Sequence, residues 1–142
     1  IDRSKIFVSG YSYGSAMAWR FACSQGQSIN TLLAVSGSIP DQTEDCSSPV
    51  NIRHVHGTRD NVMDYPFGPS GKVESAIRLW RARNGCDVQP DSQERWQAVK
   101  ILSFHRHRWE TCASGKSIVL DVHKRGHFIP RYWIERQLKE LL

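Results

Sequence analysis

The sequence predicts an α/β fold built on a mostly parallel sheet, and three observations carry that expectation. Short apolar runs alternate along the chain with stretches of helical periodicity, the pattern that lays helices on a parallel sheet. One run, Thr31-Leu32-Leu33-Ala34-Val35-Ser36, is apolar almost without interruption, as a strand buried on both faces requires. A third stretch, Lys5-Ile6-Phe7-Val8, passes through Ser9-Gly10-Tyr11-Ser12-Tyr13-Gly14 into a helix that opens with small residues. A G-x-S-x-G motif therefore lies between a strand and a helix, the setting in which it forms a sharp turn with the serine at its tip. Gly10 and Gly14, lacking Cβ atoms, let the chain turn and the helix approach the strand.

The elements follow in order. From Gly14 to about Cys23 apolar residues recur at helical spacing (Met17, Ala18, Phe21, Ala22), and Ser15, Ala16 and Ala18 are small enough for close packing on a sheet. Gly26 suits the helix stop. After the 31–36 strand and Gly37, a polar loop from Ile39 to Pro49 carries Cys46. Asn51-Ile52-Arg53-His54-Val55-His56 is the next strand, breaking at Gly57-Thr58-Arg59-Asp60-Asn61. The span from Asp64 to Gly71, with Pro66, Gly68 and Pro69, is a loop long enough to shape a site. Lys72 to about Asn84 is an amphipathic helix with Val73, Ala76, Ile77, Leu79 and Trp80 on one side, stopped by Asn84-Gly85. Ala98 to about Phe104 is expected as a strand from its Val, Ile and Leu content, and His105-Arg106-His107-Arg108-Trp109 alternates as strands do. A turn at Ala113–Lys116 leads to a strand over Ser117–His123, and a loop over Lys124–His127 follows. A helix from Pro130 to Leu142 closes the chain, with Trp133, Ile134, Leu138, Leu141 and Leu142 as its apolar side.

Composition narrows the function classes. At 142 residues, 39% hydrophobic and 23% charged, the chain has the length and balance for one domain with a real core. Its longest apolar runs are too short to span a bilayer as a helix. The net charge of +5 is scattered rather than blocked, which reads as a solvated basic face and not as a nucleic-acid surface. Four cysteines, none in a C-x-x-C pair, allow three disulfide pairings and favour an oxidising compartment, hence a secreted protein. The two H-x-H pairs, His54/His56 and His105/His107, lack a third Cys or carboxylate at ligand spacing, so neither a metal nor another cofactor is expected.

A serine hydroxyl is a poor nucleophile at neutral pH until a base takes its proton. That base is a histidine, oriented and stabilised by a carboxylate. In parallel sheets such groups belong at the carboxyl ends of strands. Ser12, Asp60 and His127 each follow a strand and occur in the chain order serine, acid, histidine. Asp64 in the same loop and mid-strand Asp121 are the alternatives to Asp60, and His123 is the alternative to His127.

Three segments, Ile6-Phe7-Val8-Ser9-Gly10-Tyr11-Ser12-Tyr13-Gly14, Val55-His56-Gly57-Thr58-Arg59-Asp60 and Gly126-His127-Phe128-Ile129-Pro130, line up in order with the polyhydroxybutyrate-depolymerase and feruloyl-esterase-like group of secreted α/β-hydrolases. The resemblance spans essentially the whole chain and is to the carboxyl-terminal half of those enzymes. It implies an α/β-hydrolase fold with Ser12 as nucleophile, Asp60 as acid, His127 as base and the backbone N–H of Tyr13 as one oxyanion donor. It also implies the disulfides Cys23–Cys46 and Cys86–Cys112. The expected activity is serine carboxylesterase or depolymerase action on a polyester or on acylated or feruloylated polysaccharide. A catalytically inactive binding module, or a peptidase or thioesterase of the same fold, is the alternative. Tyr11, Tyr65, Phe128 and Trp133, with Tyr13, are candidates to line an aromatic substrate cleft. The run of glycines usual before the catalytic histidine is reduced to Gly126 after Lys124-Arg125, which leaves the subfamily open. Residues 1–142 are expected to be a partial catalytic domain lacking the amino-terminal strands and the loop with the second oxyanion donor. By that expectation the elbow strand exposes an edge, and the missing donor costs about a hundred- to a thousand-fold in rate.

Overall fold

The computed structural model describes residues 1–39, 46, 48–63 and 72–142. Among these, six strands form one sheet: β1 (Phe7–Tyr11), β2 (Thr31–Val35), β3 (Asn51–Gly57), β4 (Ser92–Val99), β5 (Leu102–Trp109) and β6 (Ile118–His123). Their spatial order is β1-β2-β3-β6-β5-β4. β1, β2, β3 and β6 are parallel, while β5 and β4 extend the sheet as an antiparallel hairpin. The helices are α1 (Tyr13–Gln25), α2 (Lys72–Asn84) and α3 (Arg131–Leu141). Within the described residues β1 is an edge strand whose one sheet neighbour is β2.

Successive strand residues point to opposite faces, and the core divides accordingly. Leu32, Ala34, Ile52, Ile118 and Leu120 pack with α1 and α2, through Ala18, Trp19, Ala22, Ala76, Ile77 and Trp80. Leu33, Val35, Val55 and Phe104 pack on the other face with Trp133 of α3. All five residues of β2 are buried, as its uninterrupted apolar run requires. The structure is thus helix, sheet, helix in three layers. Two disulfides fasten its periphery: Cys23–Cys46 ties the end of α1 to a residue between β2 and β3, and Cys86–Cys112 ties the end of α2 to the segment after β5. These are the pairs that the family resemblance implies. Closing loops of 23 and 26 residues, each restricts the unfolded chain by about 3 kcal/mol in the entropic account.

Three expectations are corrected. The strand expected over Ala98–Phe104 is the end of one strand, a turn at Lys100-Ile101 and the start of another. That turn has no Gly, Pro or Asn to announce it. The Gln97 side chain instead serves it, donating to the carbonyls of Val99 and Lys100 at 3.2 and 3.0 Å, beside a register irregularity between Gln97 and Val99. On α1, Met17 and Phe21 face outward, 73% and 41% exposed, and the buried face is Ser15, Ala18, Trp19 and Ala22. At its start α1 lies close on β1, where a Cβ on Gly10 would stand 2.1 Å from the Gly14 carbonyl oxygen. Gly14 is permissive by contrast, since a Cβ there meets nothing within 4 Å. On α3, Leu138 and Leu142 are exposed, while Trp133 and Gln137 are buried. The surface under α3 is polar as well as apolar. Buried Arg106 donates to Asp121 at 2.7–3.0 Å and to Glu140 at 2.8 Å, and Arg53 donates to Gln137 Oε1 at 2.8 Å.

Candidate active site

Ser12, Ser36, Asp60 and His127 each follow the carboxyl end of a parallel strand, β1, β2, β3 and β6 in turn. Ser12 joins β1 to α1 with φ 57° and ψ −121°, a left-handed conformation that strains any residue with a Cβ. Serine in this position ordinarily spends its hydroxyl on a helix N–H. The Ser12 side chain makes no such capping bond. The turn is held instead through its backbone, by Ser12 N–H donating to Val35 O at 2.9 Å and Ser12 O accepting from Ala16 N–H at 3.1 Å. Tyr13, the first residue of α1, has an N–H with no intrahelical acceptor, at the positive end of the helix dipole.

The end of β2 is shaped to fit against this turn. A Cβ on Gly37 would lie 2.1 Å from the Ser12 carbonyl oxygen, so glycine alone fits there. The Gly37 carbonyl accepts from Ser15 Oγ at 2.7 Å and from Trp19 Nε1 at 3.0 Å. Ser36, itself at φ 50°, donates from Oγ to the Phe128 carbonyl at 3.2 Å. The loop after β6 is thereby tied to the loop after β2.

The loops after β3 and β6 are joined in the same way. Thr58 N–H donates to His123 O at 2.8 Å and Arg59 N–H to Arg125 O at 3.2 Å. This contact requires Gly57, whose Cβ would come within 2.1 Å of Arg125 O. Asp60 is 5% exposed. Its Oδ1 accepts the N–H groups of Val62 and Met63 at 2.9 and 2.8 Å, and its Oδ2 is 2.7 Å from His127 Nδ1. Burial raises the Asp60 carboxyl, but the bonds from His127, Met63 and Val62 and the nearby His56 outweigh it, and its pKa lies below the usual carboxylate value. With Asp60 ionised, His127 carries its proton on Nδ1 and keeps Nε2 as the basic nitrogen. The imidazole ring rests 4.8 Å from the ring of Tyr11, the residue before Ser12. Asp60 and His127 are thus paired directly; the His127 ring packs on Tyr11, which precedes Ser12, and the next residue, Phe128, accepts from Ser36.

The alternative groups are engaged elsewhere. Asp121 accepts from Arg106, from Trp96 Nε1 at 3.0 Å and from Trp133 Nε1 at 2.7 Å. His123 is buried against Phe104 and Phe128. Its Nδ1 accepts the Arg125 N–H at 3.1 Å, and burial, with His56 nearby, pushes its pKa down to about 4. Asp64 and Tyr65 lie outside the described residues. Of the expected cleft aromatics, Tyr11 and Phe128 are half-buried beside His127 and His123, and the Tyr13 side chain is 80% exposed. Trp133 is corrected: at 1% exposure, with its indole N–H on Asp121, it belongs to the core under α3 rather than to a cleft.

Sequence reasoning missed His56. Its Nε2 donates to Met63 O at 2.6 Å and stands 3.3 Å from Asp60 Oδ2, so its Nδ1 is bare and accepts from His54 Nε2 at 3.2 Å. Burial depresses the pKa of both rings and keeps them neutral. The H-x-H spacing does put the two imidazoles together, but behind the acid rather than around a metal. Among the described residues no group of three or more His, Cys, Asp or Glu is arranged to hold a metal ion.

Comparison with known proteins is consistent with this geometry. The family described as phospholipase/carboxylesterase matches residues 1–97. Feruloyl esterase D of Neurospora crassa is 29% identical over 132 residues, covering 89% of this chain and 41% of that protein. A bifunctional acetylxylan esterase/xylanase of Neocallimastix patriciarum is 27% identical over 128 residues, 89% of this chain and 18% of that protein. A probable feruloyl esterase C of Aspergillus niger is 33% identical over 98 residues, 69% of this chain and 34% of that protein. The chain thus spans less than half the length of each of these relatives.

Proposed function

Since the chain belongs to the phospholipase/carboxylesterase family of α/β-hydrolases, we propose that it carries the nucleophile, acid and base of a serine carboxylesterase: Ser12, Asp60 and His127. The observations that support this reading are the 2.7 Å Asp60–His127 pair, the packing of the His127 ring on Tyr11, and a neighbouring Ser12 whose hydroxyl is not spent on capping its helix. In the proposed reaction Ser12 Oγ attacks the ester carbonyl as His127 Nε2 takes its proton. Asp60 stays ionised and stabilises the imidazolium, consistent with its lowered pKa. The Tyr13 N–H donates to the oxyanion. His127 then protonates the departing alcohol. Water, deprotonated by the same imidazole, releases the acid and restores Ser12.

The substrate we propose is an acyl ester on a polysaccharide. Relatives named feruloyl esterase and acetylxylan esterase/xylanase favour this over a polyester. Two disulfides support function in an oxidising, extracellular setting. No helix among the described residues is long and apolar enough to cross a membrane. The test is hydrolysis of p-nitrophenyl acetate, methyl ferulate and acetylated xylan by the protein and by Ser12→Ala. Release of acid from the polysaccharide-type esters, lost in the variant, supports the reading. Hydrolysis that survives Ser12→Ala contradicts it.

A further inference from the structure

We propose that Ser36 is a positioning residue for the site of Ser12, Asp60 and His127: its buried hydroxyl, by bonding the Phe128 carbonyl, sets the orientation of the segment that presents the His127 ring. The inference rests on the esterase reading of that site and adds to it a residue that touches none of the reacting groups.

Residues 35–37 meet the serine turn and the histidine segment together. Val35 O accepts the Ser12 N–H at 2.9 Å. Gly37 abuts the Ser12 carbonyl, and its own carbonyl accepts from Ser15 and Trp19 of α1. Between them, Ser36 donates its N–H to Val55 O at 3.0 Å, which carries the β2–β3 ladder past Val35. Its Oγ donates at 3.2 Å to the carbonyl of Phe128, the residue after His127.

Little else orients that segment. Among the described residues, the Phe128 carbonyl is the one backbone group of residues 126–129 with a hydrogen bond to the protein. The Phe128 ring packs against the core face that holds Val35, Val55 and Trp133, and lies 5.0 Å from the ring of His123. Apolar contact of this kind fixes where the segment lies but has no preferred direction. A hydrogen bond to a carbonyl does have one.

The Ser36 backbone points the same way. Its φ of 50° is left-handed, and Ser12 is the one other non-glycine residue with a positive φ among the described residues. Glycine adopts that conformation without steric cost. A fully buried serine held there keeps a group that glycine would lose, and that group is the hydroxyl on Phe128 O.

Two variants separate positioning from stability. Ser36→Gly and Ser36→Ala both delete the hydroxyl, but only alanine keeps the left-handed strain, so Ser36→Ala should melt below Ser36→Gly. Ester kinetics should ignore that difference, with kcat about tenfold down in both and KM within about twofold of wild type. The ring ¹⁵N shifts of His127, assigned by their loss in His127→Ala, give a readout that needs no substrate. At a pH where the ring is neutral, the wild type should show the Nδ1–H tautomer and both variants a mixture of tautomers. Wild-type kcat, or wild-type ring shifts, in Ser36→Gly overturns the proposal. So does a kcat that follows the melting temperature, near wild type in the glycine variant and low in the alanine variant alone. A wild-type protein that hydrolyses no ester counts against the esterase reading instead, and the ring shifts then decide the role of Ser36 by themselves.

Discussion

His56 Nε2 stands 3.3 Å from Asp60 Oδ2, the same oxygen that lies 2.7 Å from His127 Nδ1. One carboxylate oxygen thus bonds the imidazole of the site and lies close to a neutral imidazole of the core. His56 also ties Met63 O, and Met63 N–H in turn donates to Asp60 Oδ1. Met63 thus links His56 to the acid, its carbonyl accepting from the one and its N–H donating to the other.

His56→Ala removes that link and leaves the buried Met63 carbonyl without its donor. The expected cost is about 1–3 kcal/mol of stability, with kcat lowered more than KM is raised, because Asp60 no longer holds His127 in one orientation. His56→Gln, which restores a donor, should recover part of both. Chemical denaturation together with ester kinetics reads this out; an alanine variant with unchanged melting and unchanged kcat contradicts the role.

Gly10 and Gly14 stand four residues apart in one motif but differ physically. Gly10→Ala forces a Cβ to within 2.1 Å of the Gly14 carbonyl oxygen and must displace α1 from β1, so it is expected to destabilise the fold and abolish Ser12 reactivity. Gly14→Ala meets nothing within 4 Å and lies inside α1, where alanine gains roughly 0.5–1 kcal/mol over glycine. Thermal melts of the two variants should move in opposite directions.

Asp121 and Arg106 are both fully buried and ion-paired at 2.7 Å. Asp121→Ala strands the guanidinium and removes the acceptor of two indole N–H groups, at an expected cost of about 3–5 kcal/mol. Replacing both partners by apolar residues should cost less than the single change. Equal losses in denaturant midpoint for single and double variants contradict this.

His123 sets an acid sensitivity. Its folded pKa of about 4 lies below the ordinary imidazole value of about 6.5. As pH falls below 6.5 the unfolded chain takes up a proton that the native state refuses. Stability is therefore full above about 6.5, declines through the interval and levels off below about 4, a loss of about 3 kcal/mol. Buried His54 and His56 add to it with the same sign. Urea unfolding across this range should show the decline, shallower in His123→Gln. An identical slope in the variant contradicts the assignment.

The sequence made the parallel half of the sheet readable because its strands are apolar runs and its turns carry glycines. The Ser12 turn was legible because strand, motif and small-residue helix coincide within a few positions. Residues that act through polar contacts were not. Gln97 substitutes for turn residues, Arg106 and Asp121 lie hidden in an alternating strand pattern, and α3 buries Gln137 in place of Leu138. Hydrophobic periodicity cannot register a helix that packs over an ion pair. His56 was seen as half of an H-x-H pair, but only the fold of the loop at 57–63 turns its ring onto Asp60.

The most direct test of the account is mass spectrometry of the protein after treatment with a fluorophosphonate, comparing wild type with Ser12→Ala, His127→Ala and Asp60→Asn. The expected result is a single adduct on Ser12, absent in Ser12→Ala and formed at least about a thousandfold more slowly in His127→Ala, with Asp60→Asn also slowed. Labelling at another residue, or a Ser12 that reacts at the same rate without His127, would contradict it.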